Sequence, residues 1–332
     1  MNPVSTTPRG RAFVRTLVCR ALGHVGPDAR GFALDRWGSA AAEVVTKSTV
    51  TALLAQHDPE AQEFFAPVLE RSLLGRLSGL RRVPFNVRML SMQGGTRGYW
   101  TSPGAPRPIS KPAMAGAWLQ PSNVGALIVA TSEALREGGP VAEAGLHRDL
   151  ERALTDAIDG AFLSGAGGAG QPPSIAHGAV TITATGDPAA DLAALVDAFQ
   201  GDLSAAYFVC DPTTATRLAL VRDAGGQYPF ADCGPRGGTL LGIPLLTSRG
   251  SPIDSNGGQV MLIDPSAIAF DSGALRIDPA PEATLMMSDT PTSPVELVSM
   301  FQTDSIAWRA GLDANWEVQL PGGVVCLTGV QY

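Results

Sequence analysis

Three glycines, Gly165, Gly167 and Gly170, have the G-x-G-x-x-G spacing that brings a dinucleotide pyrophosphate onto backbone N–H groups. That chemistry needs a strand before the glycines and a helix after them, because the free N–H groups of a helix N-terminus hold the phosphate. Here a helical pattern precedes the motif and Gln171-Pro172-Pro173 follows it. No Lys-Ser or Lys-Thr pair follows either, so the glycines do not form a phosphate-cradling P-loop; they read as a linker. Nucleophilic chemistry fares no better. A serine nucleophile needs a base within hydrogen-bond reach and an oxyanion site. Ser132 and Ser164 have no histidine at a supporting spacing, and no G-x-S-x-G occurs. The four cysteines (Cys19, Cys210, Cys233, Cys326) form no C-x-x-C pair, and the four histidines form no H-E-x-x-H. No catalytic residue, cofactor or metal site is expected.

The 332 residues are 45% hydrophobic and 17% charged, with 38 Gly and 26 Pro, enough for more than one packed unit joined by many turns. The net charge of −7 excludes a dedicated DNA-gripping domain, which works by neutralising phosphates. Arg15 and Arg20 interrupt the N-terminal apolar stretch, so a secretory signal is not expected. No run of about 18 apolar residues occurs, so no membrane partner is expected.

The element that must organise the chain is the stretch from Gly139 to Gly170. Pro140 suits a first helical position. Leu146, Leu150, Ala153, Leu154, Ala157, Ile158, Ala161 and Phe162 recur at helical steps, and Gly165 supplies the left-handed stop. Arg148, Asp149, Glu151, Arg152 and Asp156 are assigned to the wet face. At 1.5 Å per residue, about 25 residues make a rod of roughly 37 Å. Before it, Met1 to Ala42 reads as an arginine-rich arm broken at Pro27 and Gly31, and Glu43 to Leu77 as short helices. In Arg82 to Lys111, Phe85, Val87 and Met89 alternate as in a strand, QGGTRG makes a tip, and GYW resumes extended chain. This hairpin arm is too polar and too rich in Gly and Pro to pack alone, and a neighbouring subunit would cover it.

Extended pieces from Met114 to Ala130 lead to a short helix capped by Thr131-Ser132. Asp187-Pro188 and Asp211-Pro212 open two further helices that alternate with strands, the mark of a small layered unit. From Val295 to Gln331 long strands return.

Taken in order, LRRVPFNVRML, YWTSPGAPRPISK, IVATSEALRE, the stretch from Asp149 to Gln171, Asp223 to Pro229 with LLGIP (Leu240 to Pro244), and FQTDSIAWRAGLDANWEVQLPGGVVCLTG resemble successive motifs of tailed-bacteriophage major capsid proteins, whose Hong Kong phage fold is shared with encapsulin shells. The resemblance implies an α+β phage major capsid fold. Its parts would be an N-terminal arm (1–79), an extended β-hairpin loop (80–113), a peripheral domain with a long spine helix (114–173), an α/β axial domain (174–294) and returning C-terminal strands (295–332).

The implied function is a structural, non-enzymatic subunit that self-assembles into hexamers and pentamers of an icosahedral shell around double-stranded DNA, bound without sequence specificity. The alternative is an encapsulin-like compartment shell. Arg88, Met92, Arg97, Tyr99, Trp100 and Lys111 of the loop are the implied intersubunit contacts. A scaffold, maturation protease, portal and decoration proteins are the implied accessory partners, and the location is the virion, with host cytoplasm during assembly. Trp100 is followed by Thr101, Ser102 and Pro103, without the acidic residue of many relatives. Lys111 is the loop's one lysine, and neither Asn256 nor Asn315 matches a crosslink partner, so no covalent intersubunit bond is expected.

Overall fold

A computed structural model describes residues 15, 18–19, 27–39, 41–42, 45, 71–92, 99–102, 109, 114–137, 139–168, 170–223, 225–254, 257–273, 276–287, 297–320 and 322–332. Helix α1 is Pro27–Trp37. The sequence pattern suggests a broken arm here. Instead Pro27 opens the helix, where its missing N–H costs nothing, and Gly31 lies within it. Ala29 and Ala33 pack with Cys19, Ala42 and Val45, a small cluster that holds α1 despite the glycine.

In chain order there follow α2 (Leu73–Arg76), β1 (Arg81–Arg82), β2 (Arg88–Met92), β3 (Met114–Trp118), β4 (Ser122–Thr131), α3 (Ser132–Glu137), α4 (Gly139–Leu163), β5 (Val180–Thr183), α5 (Pro188–Ala198) and β6 (Tyr207–Cys210). Next are α6 (Pro212–Leu220), β7 (Cys233–Gly234), β8 (Gly237–Leu240), β9 (Ile243–Thr247), β10 (Ile253–Asp254), β11 (Gly257–Ile263), β12 (Ile268–Ser272), β13 (Arg276–Ala280), β14 (Thr284–Met286), β15 (Leu297–Ser299), β16 (Ser305–Val318) and β17 (Val324–Val330).

The chain forms two compact units. The first holds Met1–Arg71, Asn123–Thr155 and Gly273–Asp313; the second holds Ser72–Ser122, Asp156–Ser272 and Ala314–Tyr332. In the first, β13 runs antiparallel to the first half of β16, with Pro279 opposite Trp308. β4 also pairs with β16, and β14 pairs with β15. Thr131 Oγ1 accepts from the Ala134 N–H at the start of α3.

The second unit is built on an eight-stranded sheet in the order β5-β17-β11-β6-β9-β8-β7, with β10 on the edge of β11. β6 and β9 are parallel, as are β17 and β5; the remaining neighbours in this sheet are antiparallel. Two helices start where the sequence places them. Asp187 caps α5 by accepting from Ala189 N, and Asp211 caps α6 by accepting from Thr213 N and Thr214 N. Their buried faces (Leu192, Leu195, Leu218) pack with Phe208, Val260, Leu262 and Leu327 of the sheet. Leu203 lies beyond α5 and is exposed. In the same unit β12 pairs with the second half of β16, and β1 with β12.

Helix α4 has the expected 25 residues. Leu150, Leu154, Ile158 and Phe162, each four apart, are buried. Gly165 at φ +106° ends the run in the region that a side chain would strain. Ala153 and Ala157 are exposed, so the buried stripe is narrower than the alanine pattern suggests. Glu151 departs from the sequence reading. It is buried, and its carboxylate accepts from Arg71 Nη1 at 2.6 Å. A buried carboxylate needs such a partner, and this one lies eighty residues away in sequence.

Gly165, Gly167 and Gly170 all have positive φ in an irregular link with no helix after it, so they cannot present helix N–H groups to a phosphate.

Candidate assembly surface

Among the described residues, the β2–β3 hairpin is anchored at its base and exposed on its outer face. Strands β2 and β3 pair antiparallel, Arg88 opposite Trp118 and Met92 opposite Met114. The sequence assigns the partner strand to GYW; the structure assigns it to Met114–Trp118. The strand also begins at Arg88, later than the alternation from Phe85 suggests, because Asn86 takes φ +62° in a turn. Asparagine tolerates that conformation better than most residues.

The inner face holds the hairpin down. Met89 and Leu119 are buried with Val83 and Ala269, and Phe85 and Ala117 pack at the margin. Gln319 Nε2 donates to Met89 Sδ at 3.3 Å. Polar contacts fix the base. Arg82 Nε meets Asp271 Oδ1 at 3.2 Å, and Phe85 N donates to Asp271 Oδ2 at 3.2 Å. Asn315 Nδ2 donates to the Gln120 carbonyl at 2.5 Å. The Asn315 side-chain amide is therefore already engaged within its own subunit.

Strand residues alternate, so Arg88 and Leu90 of β2 share the opposite face with Gly116 and Trp118 of β3. There Leu90 is 57% exposed and Trp118 60%. A Cβ on Gly116 would sit 3.1 Å from Arg88 Nε, so the guanidinium lies across the bare glycine. Beyond the hairpin, Tyr99 and Ile109 are largely exposed and Trp100 is fully so. Of the residues singled out in the sequence, Arg88 is exposed on β2, and Tyr99 and Trp100 lie in irregular exposed chain. Met92 ends β2. Arg97 and Lys111 lie outside the described residues. Sequence reasoning passed over Leu90, Ile109 and Trp118; alternation with the buried Met89 flags Leu90 once the register is known.

A buried polar node sits at the C-terminal end of α4. Asp159 accepts from Leu73 N at 2.9 Å, at the start of α2, and from Ser248 Oγ at 2.7 Å. Arg76 Nη1 donates to the Thr247 carbonyl at 2.8 Å. A Cβ on Gly250 would fall 2.6 Å from backbone atoms of Asp159 and Gly160, so only glycine lets this loop lie against the helix. Burial pushes the Asp159 carboxyl up to about 6; the Ser248 and Leu73 hydrogen bonds and the Arg76 charge pull the other way without cancelling it.

Burial raises the thiols of Cys19 and Cys210 to about 12 and that of Cys326 to about 11, which leaves little thiolate for chemistry. Ser164 Oγ donates to the Gly160 carbonyl. Among the described residues no three metal-ligating side chains converge, and no helix is long and apolar enough to cross a membrane.

The phage capsid family model matches residues 57–329. The chain therefore belongs to the phage capsid family. The capsid polyprotein of Pseudomonas phage PAJU2 is 31% identical over 361 residues, which cover 97% of this chain and 54% of that protein. The chain thus spans about half the length of that relative. Among solved structures, the capsid of a native GTA particle is 17% identical with a TM-score of 0.57, covering 76% of this chain and 88% of that one. A structure from Mycobacterium phage Cain is 17% identical with a TM-score of 0.55, covering 76% and 89%. The α+β capsid fold expected from the sequence is the fold observed.

Proposed function

We propose that copies of this chain assemble as the hexamers and pentamers of an icosahedral head around double-stranded DNA, with the 80–113 loop lying over a neighbouring subunit. The observation that carries this reading is the two-sided hairpin. Its inner face is buried on its own subunit, while Leu90 and Trp118 are exposed together on the outer face, and Trp100, farther along the loop, is exposed as well. An exposed apolar patch of this kind marks an interaction site, and in a shell built mainly of one protein most subunit contacts are with other copies.

In this reading Arg88, Met92, Arg97, Tyr99, Trp100 and Lys111 contact the neighbour. Residues 1–79 serve as the arm, 114–173 and 295–332 as the peripheral part, and 174–294 as the axial part at capsomer centres. The chain has no catalytic role. A net charge of −7 suits a wall that encloses DNA without gripping it. Scaffold, protease, portal and decoration proteins are the accessory partners, and the particle is the virion, built in the host cytoplasm.

Negative-stain microscopy of the protein expressed alone, with absorbance at 260 and 280 nm on the particles, tests the reading. Closed shells or uniform rings are expected. A monodisperse monomer that persists at high concentration, with candidate scaffold added, would contradict it.

A further inference from the structure

Three described non-glycine residues have positive φ: Asn86, Leu241 and Asp304. Asparagine and aspartate visit this region because their short polar side chains can bond the local backbone; a leucine there is a genuine outlier. Leu241 (φ +55°) and Gly242 (φ +80°) form the two-residue connection between β8 and β9, with Leu240 paired to Ile243. Positive φ at both central positions is the type I′ hairpin turn, whose first position favours Asn, Asp or Gly. Leucine gives that up.

Leu241 is not among the residues packed on the described core. Leu240 is buried, and Ile243 packs on the same core. Leu241 between them is 59% exposed, and a Cβ on Gly242 would meet nothing within 4 Å. The turn tip is open. Nor is it alone. Phe208 of β6 aligns in parallel with Leu245 of β9, so the chain entering β6 ends level with this turn. That entering loop carries Leu203, also exposed. Two exposed leucines therefore lie on connections at one end of the sheet, one of them in a positive-φ turn. Strain that the subunit does not use points to function.

We infer that Leu241 is an assembly contact, held in an unfavourable turn conformation so that its side chain meets a second copy of this chain. The inference rests on the shell reading above, which supplies the occupant: in a one-protein shell the surface nearest any subunit is another copy. It concerns a different element from the extended loop, and it makes Leu241 a residue whose effects on folding and on assembly have opposite signs.

The test uses the full chain with Leu241→Asn and Leu241→Met. Two readouts are taken: the thermal midpoint of dilute, unassembled subunit, and the fraction in capsomers or shells by sedimentation velocity at matched concentration. Asn-Gly is the favoured I′ pair, so Leu241→Asn is expected to give an equal or higher midpoint while the assembled fraction falls by about tenfold or more, the size of one lost apolar contact at a central position. Leu241→Met keeps an apolar side chain and is expected to assemble like the parent. Assembly of Leu241→Asn to the parent's extent would overturn the inference. So would a lower midpoint, which would make Leu241 a folding residue. A parent chain that stays monomeric would remove the shell reading and the inference with it.

Discussion

Two tryptophans in the second unit meet opposite fates. Trp316 on β16 is buried, its ring edge-on to Phe162 at 5.2 Å and its Nε1 donating to the Pro173 carbonyl at 2.8 Å. Trp118 on β3 is 60% exposed, on the outer face of a hairpin whose inner face is packed. Both lie on strands, and both are large apolar side chains whose burial stabilises strongly. The difference lies in the neighbours. The Trp316 side chain finds its partners within the chain, on α4 and in the link that follows. Among the described residues the hairpin's core partners lie on its inner face, and in the proposed reading another copy completes the outer one. The contrast separates residues that make the subunit from residues proposed to make the shell.

Trp316→Ala should break the subunit side of that contrast most severely. Removing a buried tryptophan costs about 3–5 kcal/mol, and denaturant unfolding of the unassembled chain should show it. Phe162→Ala should cost a similar amount, less than additively with Trp316→Ala, since the rings touch. A full-strength parent midpoint in either variant would show that this contact is not part of the core.

Next in size is the polar node. The folded carboxyl of Asp159 titrates at about 6 rather than its ordinary 3.8. The folded state therefore holds this proton more tightly than the unfolded chain does. Its contribution to stability is complete below about pH 4 and is lost as pH rises through 6. The tighter hold on the proton is worth roughly 3 kcal/mol. Asp159→Asn should remove that part of the pH dependence, so the stability difference between parent and variant, followed by urea unfolding from pH 4 to 7, should change in the parent's disfavour. A difference independent of pH would contradict the assignment. Gly250→Ala, which places a methyl against the α4 backbone at the same node, should cost about 1–3 kcal/mol. Loss of the Asp211 cap in Asp211→Ala should cost about 1 kcal/mol by the same assay.

The smallest effects on the subunit belong to the shell side. Trp100→Ala should change subunit stability by no more than about 0.5 kcal/mol, yet lower particle yield under matched expression. Equal losses in both readouts would erase the distinction. The particles should also run as single chains on a denaturing gel, because Asn315 is engaged by Gln120 and Lys111 is the loop's one lysine; a ladder of covalent multimers would refute this.

Local chemistry made much of the fold legible. Asp187-Pro188 and Asp211-Pro212 mark helix starts with a cap and a preset φ, and Gly165 marks the stop of α4, because each acts within a few residues. The capsid fold was legible from the order of motifs that are individually weak. Features set by distant partners were not. Glu151 reads as a wet-face charge because nothing near it in sequence reveals Arg71. Proximity along the chain favours GYW as the partner of β2, whereas the observed pairing with Met114–Trp118 sets Ala117 opposite the buried Met89. Helix α1 was hidden by Pro27 and Gly31, which break most helices; here one opens the helix and packed alanines offset the other. Of the loop surface, Tyr99 and Trp100 stood out by residue type, whereas Leu90 and Trp118 emerged only once register assigned their face.

The central claim is that the outer face of the hairpin is completed by a second copy. Hydroxyl-radical footprinting of the tryptophans, in free subunits and in assembled particles, addresses it most directly. The account predicts that Trp100 and Trp118 are modified readily in free subunits and at least about tenfold more slowly in particles, with Trp316 protected in both. Equal modification of Trp100 and Trp118 in the two states would contradict it.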